Sequence, residues 1–154
     1  MQLEGDRDIV ISRTFDAPAR IVFDAWTKPE FVKRWWAPSS LCVRIVEVTA
    51  DVRVGGAYRY VIAHGDNPPM GFSGEYLVVD RPQKLVYTQV FEPMADAGAV
   101  VVTVTFDEKD GRTKLVSHER YPSAEAREGA LSSGMEHGMR DTMNQLDALV
   151  RELR

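Results

Sequence analysis

The sequence predicts an α+β fold in which a curved antiparallel sheet of about seven strands wraps around a long C-terminal helix. Seven segments rich in β-branched and aromatic residues are joined mostly by short turn-forming stretches, which favours antiparallel pairing because parallel neighbours need long crossovers. From residue 123 to residue 153, apolar residues recur at a period near 3.6, which indicates a helix. No repeat or flexible linker interrupts the chain, so we expect one domain over residues 1–154.

The first predicted elements are one strand and two short helices. Apolar residues alternate along 9–15, which favours a strand, and they recur at helical spacing from about residue 18 to residue 27. Pro18 is expected in the first turn of that helix, where proline is tolerated. Thr27 and Glu30 have the spacing of a capping box and predict the start of a second short helix.

Six further strands are predicted after Pro38. Within one of them, Val102 and Val104 lie on one face and Thr103 and Thr105 on the other, which indicates a sheet that is buried on one side. The six segments are 43–50, 56–63, 72–79, 84–91, 99–107 and 113–120.

The C-terminal helix is predicted to begin after Ser123, which is a suitable N-cap, and to continue to Leu153. At 1.5 Å per residue such a helix is long enough to cross a whole sheet. Gly129, Gly134 and Gly138 each weaken its first half by roughly 1 kcal/mol relative to alanine. We therefore expect a bend or a close packing contact near its middle.

Composition excludes several classes of function. The net charge of −4 gives no broad attraction for nucleic acid or anionic lipid. The single cysteine, Cys42, excludes an internal disulfide and a zinc site of several thiolates, and its apolar neighbours predict a small buried residue. The polar N-terminus has no signal-peptide pattern, and no apolar run approaches the roughly 20 residues that span a bilayer. We expect a cytoplasmic protein without membrane or nucleic-acid partners.

Several strings along the chain carry a resemblance to a known family. In order they are RTFDAP (13–18), VFDAW (22–26), KRWWAP (33–38), DVRVGG (51–56), GEY (74–76), PQKLVY (82–87), YPSAEAR (121–127) and SGMEHGM (133–139). Together they resemble the START-like superfamily, also called SRPBCC or Bet v 1-like. Within it they resemble the family named after the C-terminal domain of the activator of Hsp90 ATPase.

The resemblance implies a helix-grip fold and leaves several functions open, because the family includes lipid binders, co-chaperone domains tied to stress response, and cyclases. In many relatives the packed half of the long helix starts with Gly-Trp, whereas here Gly138 is followed by Met139. The missing indole implies more room, or a softer wall, beside this helix.

The sequence contains no strong catalytic, metal or cofactor motif. His64, His118 and His137 are not spaced as a metal-binding pair, although His64 with Asp66 is a weak candidate. No nucleophile elbow, phosphate-binding loop or dinucleotide fingerprint is present, so no cofactor is expected.

A ligand cavity between sheet and helix is the leading site hypothesis, since a curved sheet cannot always fill its concave side. Methionines at i, i+4 and i+8 of the helix suit a wall that adapts to varied apolar ligands. The alternative is a dry core made of the same residues. The predicted lining consists of Trp35, Trp36, Tyr58, Tyr60, Phe72, Tyr76, Tyr87, Phe91, His118, Met135, Met139 and Met143.

Polar groups that could orient a ligand are Arg59, Glu75, His118 and Glu119. Strand parity places His118 and Glu119 on opposite faces, so only one of them enters the interior. A buried glutamate would have a raised pKa, whereas an ion pair with an arginine on a solvated face is the simpler expectation for Glu75 and Glu119.

Three functions follow from these observations. We expect binding of a hydrophobic or amphipathic small molecule, by a monomer or a homodimer. One alternative is a protein-interaction domain of the Hsp90 co-chaperone type, which would use an exposed patch at 35–38. A cyclase-like acid–base enzyme is the third hypothesis.

Overall fold

Eight antiparallel strands form one sheet in the computed structural model, which describes residues 1–154. Two strands open the chain, two helices follow, and six strands lead to two further helices. The elements are β1 (Gln2–Glu4), β2 (Asp8–Phe15), α1 (Ala19–Thr27), α2 (Pro29–Trp35), β3 (Val43–Ala50), β4 (Ala57–His64), β5 (Met70–Asp80), β6 (Lys84–Phe91), β7 (Val100–Lys109), β8 (Arg112–Arg120), α3 (Ala124–Ser132) and α4 (Met135–Leu153).

The strand order is β1-β2-β8-β7-β6-β5-β4-β3, so the predicted α+β class and the six-stranded meander are confirmed. β2 pairs with the last strand, with Ile11 opposite Ser117. The sequence predicts about seven strands and misses β1, whose three residues are all exposed and therefore lack an apolar alternation. Short 3₁₀ turns at Ser39–Leu41 and Glu92–Ala97 complete the elements.

The sheet curves around the helices, and the core fills most of its concave face. Pairing shifts register between Ile45 and Glu47 and between Tyr76 and Val78, and such irregularities bend and twist a strand. α1, α2 and the C-terminal part of α4 pack into the bend, where Phe23 and Leu146 are buried. The concave face of the sheet is therefore not filled beneath the N-terminal part of α4.

The two short helices begin differently from the prediction. Pro18 is the N-cap of α1 rather than part of its first turn, and the Ala19 N–H donates to Glu108 Oε1 at 2.7 Å. Lys28 is the N-cap of α2 and makes no side-chain cap bond, so the predicted capping box is wrong. Thr27 still belongs to α1, where its hydroxyl donates to the Phe23 carbonyl at 2.9 Å.

The long C-terminal helix is two helices, which corrects the prediction of one. Gly134 separates them with φ +83°, a conformation that costs a side chain about 1–2 kcal/mol. Ser123 is confirmed as the N-cap of α3, since its hydroxyl accepts from the Ala126 N–H at 3.0 Å. The glycines therefore predict a weak point, but the sequence does not predict that one helix ends and another begins there.

Cys42 is exposed, and the prediction of a small buried residue is wrong. The residue follows the 3₁₀ turn Ser39–Leu41 and adopts a left-handed conformation with φ 59°. It therefore belongs to the connection that leads into β3, not to the interior, and apolar neighbours in the sequence are a poor guide to burial at such a turn.

Candidate functional site

A cavity of about 280 Å³ lies between the concave face of the sheet and the N-terminal half of α4. Ten of the sixteen residues around it are hydrophobic. The lining consists of Ile11, Trp26, Trp35, Trp36, Pro38, Ile62, Phe72, Tyr87, Gln89, Ser117, Glu119, Met135, Gly138, Met139, Thr142 and Met143. Its size lies near the lower end of the range of ligand pockets, about 300 Å³ upward.

All three tryptophans of the chain line this cavity from α1, α2 and the residue after α2. Trp35 is fixed because its indole N–H donates to the Ala25 carbonyl at 2.8 Å, and its ring lies 4.9 Å from that of Trp26. Trp36 contacts the ring of Phe72 edge to face at 5.0 Å. Such aromatic contacts have definite geometry, so this wall is held in place before any ligand arrives.

The opposite wall is made by α4. Met135 and Met139 are half-buried above the cavity, and Met143 is buried at the point where the helix enters the core. Thioether side chains adjust to irregular shapes. The three predicted methionines therefore lie together on one wall of the cavity, which has one rigid aromatic side and one adaptable side.

Hydrogen bonds fasten the segment after α2 to α4. The Gln145 side-chain amide donates to the carbonyls of Trp35 at 3.0 Å and Ala37 at 2.8 Å, and its oxygen accepts from the Ser39 N–H. Asp141 accepts from both the N–H and the hydroxyl of Ser40, which lowers the pKa of that carboxyl. These contacts set the distance between the aromatic wall and the helix.

One carboxyl group, Glu119 of β8, lines the cavity. The residue is half-buried and lines the cavity together with Ser117 of the same strand. Burial raises the pKa of Glu119, while a hydrogen bond donated by the Tyr121 hydroxyl at 3.1 Å opposes this shift. The same hydrogen bond occupies Oε1, so the second carboxylate oxygen is available to a donor in the cavity.

His118 lies on the other face of β8, and the prediction that it lines the cavity is wrong. Its Nε2 lies 2.9 Å from Asp8 Oδ2, and Arg120 contacts the other oxygen of the same carboxylate at 3.4 Å. The expectation of an ion pair for Glu119 is also wrong, because it forms no salt bridge and the neighbouring Arg120 contacts Asp8 instead. Strand parity alone predicts that the two residues oppose each other, and a buried residue on the same strand is needed to tell which one faces inward.

Three of the predicted tyrosines form a separate cluster beside the cavity. Tyr58, Tyr60 and Tyr76 are buried around a gap of about 10 Å³, which is the size of one water molecule at most. Burial raises their pKa values, to about 12 for Tyr76. Tyr87 lines both this gap and the cavity, whereas Phe91 packs on Phe72 at 4.9 Å outside it.

Sequence reasoning missed Trp26, Ile11, Ser117 and several other lining residues. A signal for Ser117 was available, since it shares the strand face of Leu115, which is fully buried. The same parity places Glu119 inward. Of the other polar candidates, Arg59 pairs with Glu92 at 2.7 Å and Glu75 is exposed, so neither reaches the cavity.

A larger pocket of about 500 Å³ lies elsewhere, near Pro82 and Asp107. Only two of its seven lining residues, Ala19 and Phe106, are hydrophobic. Because binding of small molecules depends mainly on apolar burial around a few polar groups, the smaller cavity under α4 is the better candidate.

Comparison with known families agrees with this geometry. The sequence model of the family described as "Activator of Hsp90 ATPase homolog 1-like protein" matches residues 16–151. The chain belongs to this family. The family lies within the SRPBCC superfamily, so both levels of the resemblance are confirmed. No curated protein matches the sequence significantly.

Solved structures with the same fold come from several bacteria. A Rhodobacter sphaeroides protein superimposes with a TM-score of 0.89 at 20% identity, over 98% of this chain and 97% of that one. A Staphylococcus epidermidis protein superimposes with a TM-score of 0.82 at 29% identity, over 99% of this chain and 94% of that one. A Mycobacterium smegmatis protein superimposes with a TM-score of 0.80 at 28% identity, over 94% of this chain and 90% of that one. The helix-grip architecture of the family is therefore that of this chain. None of its helices is both long and apolar enough to cross a bilayer.

Proposed function

We propose that this member of the family binds a small hydrophobic or amphipathic molecule in the cavity between the sheet and α4. The observation that carries the proposal is the cavity itself, with about 280 Å³ of space and ten hydrophobic residues among its sixteen. Apolar burial, at about 25 cal/mol per Å², is the source of affinity in such a site. The few polar lining groups then select among ligands.

The volume limits the size of the ligand. At about 30 Å³ for each water-sized group in a liquid, the cavity holds a molecule of roughly ten non-hydrogen atoms. Substituted benzenes fit this size, whereas a sterol does not unless α4 moves. The proposal therefore concerns small aromatic or short aliphatic molecules.

Intrinsic fluorescence provides a direct test, because every tryptophan of the chain lines the cavity. Titration with propylbenzene and 2-phenylethanol should change the emission in a saturable manner. The same ligands should raise the melting temperature, since binding to the folded state alone stabilises it, by about 2.7 kcal/mol at one hundred times Kd. Absence of both effects up to the solubility limit would remove the proposal.

A matched pair of variants locates the binding. Ser117→Phe places a ring in the cavity, whereas Ser12→Phe makes the same change on the exposed face of the neighbouring strand. We expect the first variant to lose binding and the second to keep it. Equal affinity in both variants would place the ligand elsewhere.

The protein-interaction alternative has lost its predicted surface. Trp35 and Ala37 are buried, so the segment 35–38 does not form the exposed patch that this hypothesis requires. A cyclase-like reaction would depend on Glu119 as the cavity's only carboxyl group. A cytoplasmic location stays a prediction from the sequence, as does the choice between monomer and homodimer.

A further inference from the structure

The charge distribution around the cavity is one-sided. Glu119 is the only acidic residue of the lining, and no lysine, arginine or histidine lies in it. The remaining polar lining groups, Gln89, Ser117 and Thr142, are uncharged. A molecule that enters the cavity therefore meets one carboxyl group and no cation.

No cationic side chain on β8 contacts the carboxyl group of Glu119. On β8 the residues to either side, His118 and Arg120, point to the opposite face and contact Asp8. Its protein partner is the Tyr121 hydroxyl, a neutral donor that serves one oxygen. A partly buried carboxylate without a charged partner carries a desolvation cost, and a cation brought by a ligand would offset that cost.

The aromatic wall of the cavity also favours a cationic ligand over an anionic one. Trp26, Trp36, Phe72 and Tyr87 surround the same space as Glu119. An organic cation is attracted to the faces of such rings, by about 0.5–2 kcal/mol depending on how well it is desolvated. An anion placed against the same wall gains nothing comparable and is repelled by the carboxylate.

We propose that the ligand of this cavity is a small organic amine, bound as its ammonium ion, with the charged end on Glu119 and the apolar body between the tryptophans and the methionines of α4. This inference rests on the proposed function and names its ligand class. It implies selection against carboxylates of the same size, which have no cationic partner in the lining.

The test compares three probes of nearly equal shape: phenethylamine, 2-phenylethanol and phenylacetate. Calorimetric titration near neutral pH, where the first is a cation and the last an anion, should give affinities in that order. We expect the amine to bind at least tenfold more tightly than the carboxylate. Equal affinity for the amine and the alcohol would overturn the proposal.

Glu119→Gln tests the assigned residue while keeping its shape and its bond from Tyr121. The variant should lose the preference for the amine and keep the affinity for the alcohol. Glu75→Gln is the matched control, since it removes an exposed glutamate of β5 and should leave all three affinities unchanged. A retained amine preference in Glu119→Gln would contradict the assignment.

The outcomes separate this inference from the function on which it rests. If the alcohol binds and the amine has no advantage, the cavity is a ligand site without the proposed selectivity. If none of the three probes binds the unmodified protein, both proposals fail. The melting temperature of each variant confirms that a lost affinity is not a lost fold.

Discussion

The two halves of α4 differ in how deeply they are buried and in what they face. In the C-terminal half, Leu146, Leu149 and Val150 are at most 3% exposed and belong to the main core. In the N-terminal half, Met135 and Met139 are only half-buried and face the cavity. One helix thus anchors the fold at one end and covers the candidate ligand site at the other.

The difference comes from what lies opposite each half. α1 and α2 fill the concave face beside the C-terminal half, where Phe23 and Val32 are buried in the same core as Leu146. Beside the N-terminal half neither helix fills the space, and the sheet presents Ser117 and Glu119 among the apolar side chains that line the cavity. Changes in the two halves should therefore have different consequences.

The largest expected effect is on the stability of the C-terminal half. Leu146→Ala removes a fully buried side chain, and we expect it to lower the free energy of unfolding by about 2–5 kcal/mol. Met139→Ala removes a side chain that already borders empty space, so its cost should stay below about 1 kcal/mol. Urea denaturation of both variants measures the difference. Similar losses would show that both halves belong to one core.

The second effect concerns the junction between α3 and α4. Gly134 has φ +83°, so Gly134→Ala should cost about 1–2 kcal/mol of unfolding free energy. No atom lies within 4 Å of the added methyl group, so backbone strain is the only cause. Thermal melting measures the loss. An unchanged melting temperature would mean that α3 and α4 join into one helix in the variant.

Periodicity predicted the fold because the sheet and helix faces are large and regularly apolar, as in the alternation of Val102 and Val104. It missed β1, which buries nothing, and the break at Gly134, because a period of 3.6 continues almost unchanged across it. For the site, Trp35, Trp36 and the three methionines of α4 were predicted as lining, whereas Trp26 was missed. The outward face of His118 was not predicted, because parity needs a buried reference residue in the strand.

A smaller effect of opposite sign is expected four residues after the junction. Gly138 is inside α4, where alanine is favoured over glycine by about 1 kcal/mol. An added methyl group would meet Pro38 and Leu41 at 3.6 Å or more, which is ordinary contact. Gly138→Ala should therefore raise the melting temperature while Gly134→Ala lowers it. A destabilised Gly138→Ala would mean that the helix needs a closer approach to Pro38 than the structure has.

The smallest of the four expected effects is the pH-dependent gain from Glu119→Gln. Since burial raises the pKa of Glu119 in the folded protein above its ordinary 4.5, the unfolded chain releases this proton first as the pH rises. Wild-type stability therefore falls between that value and the pKa of the folded state, whereas glutamine does not titrate.

The two proteins should unfold alike below about pH 4, where the glutamate is protonated in both states. Toward neutral pH the variant should become the more stable one. Denaturation across this pH range measures the difference in unfolding free energy between the two proteins. The other titrating groups are the same in both, so their contributions cancel. A difference that is constant with pH would place Glu119 in contact with solvent, and the cavity would then lack the buried charge that sets its N-terminal half apart from the core.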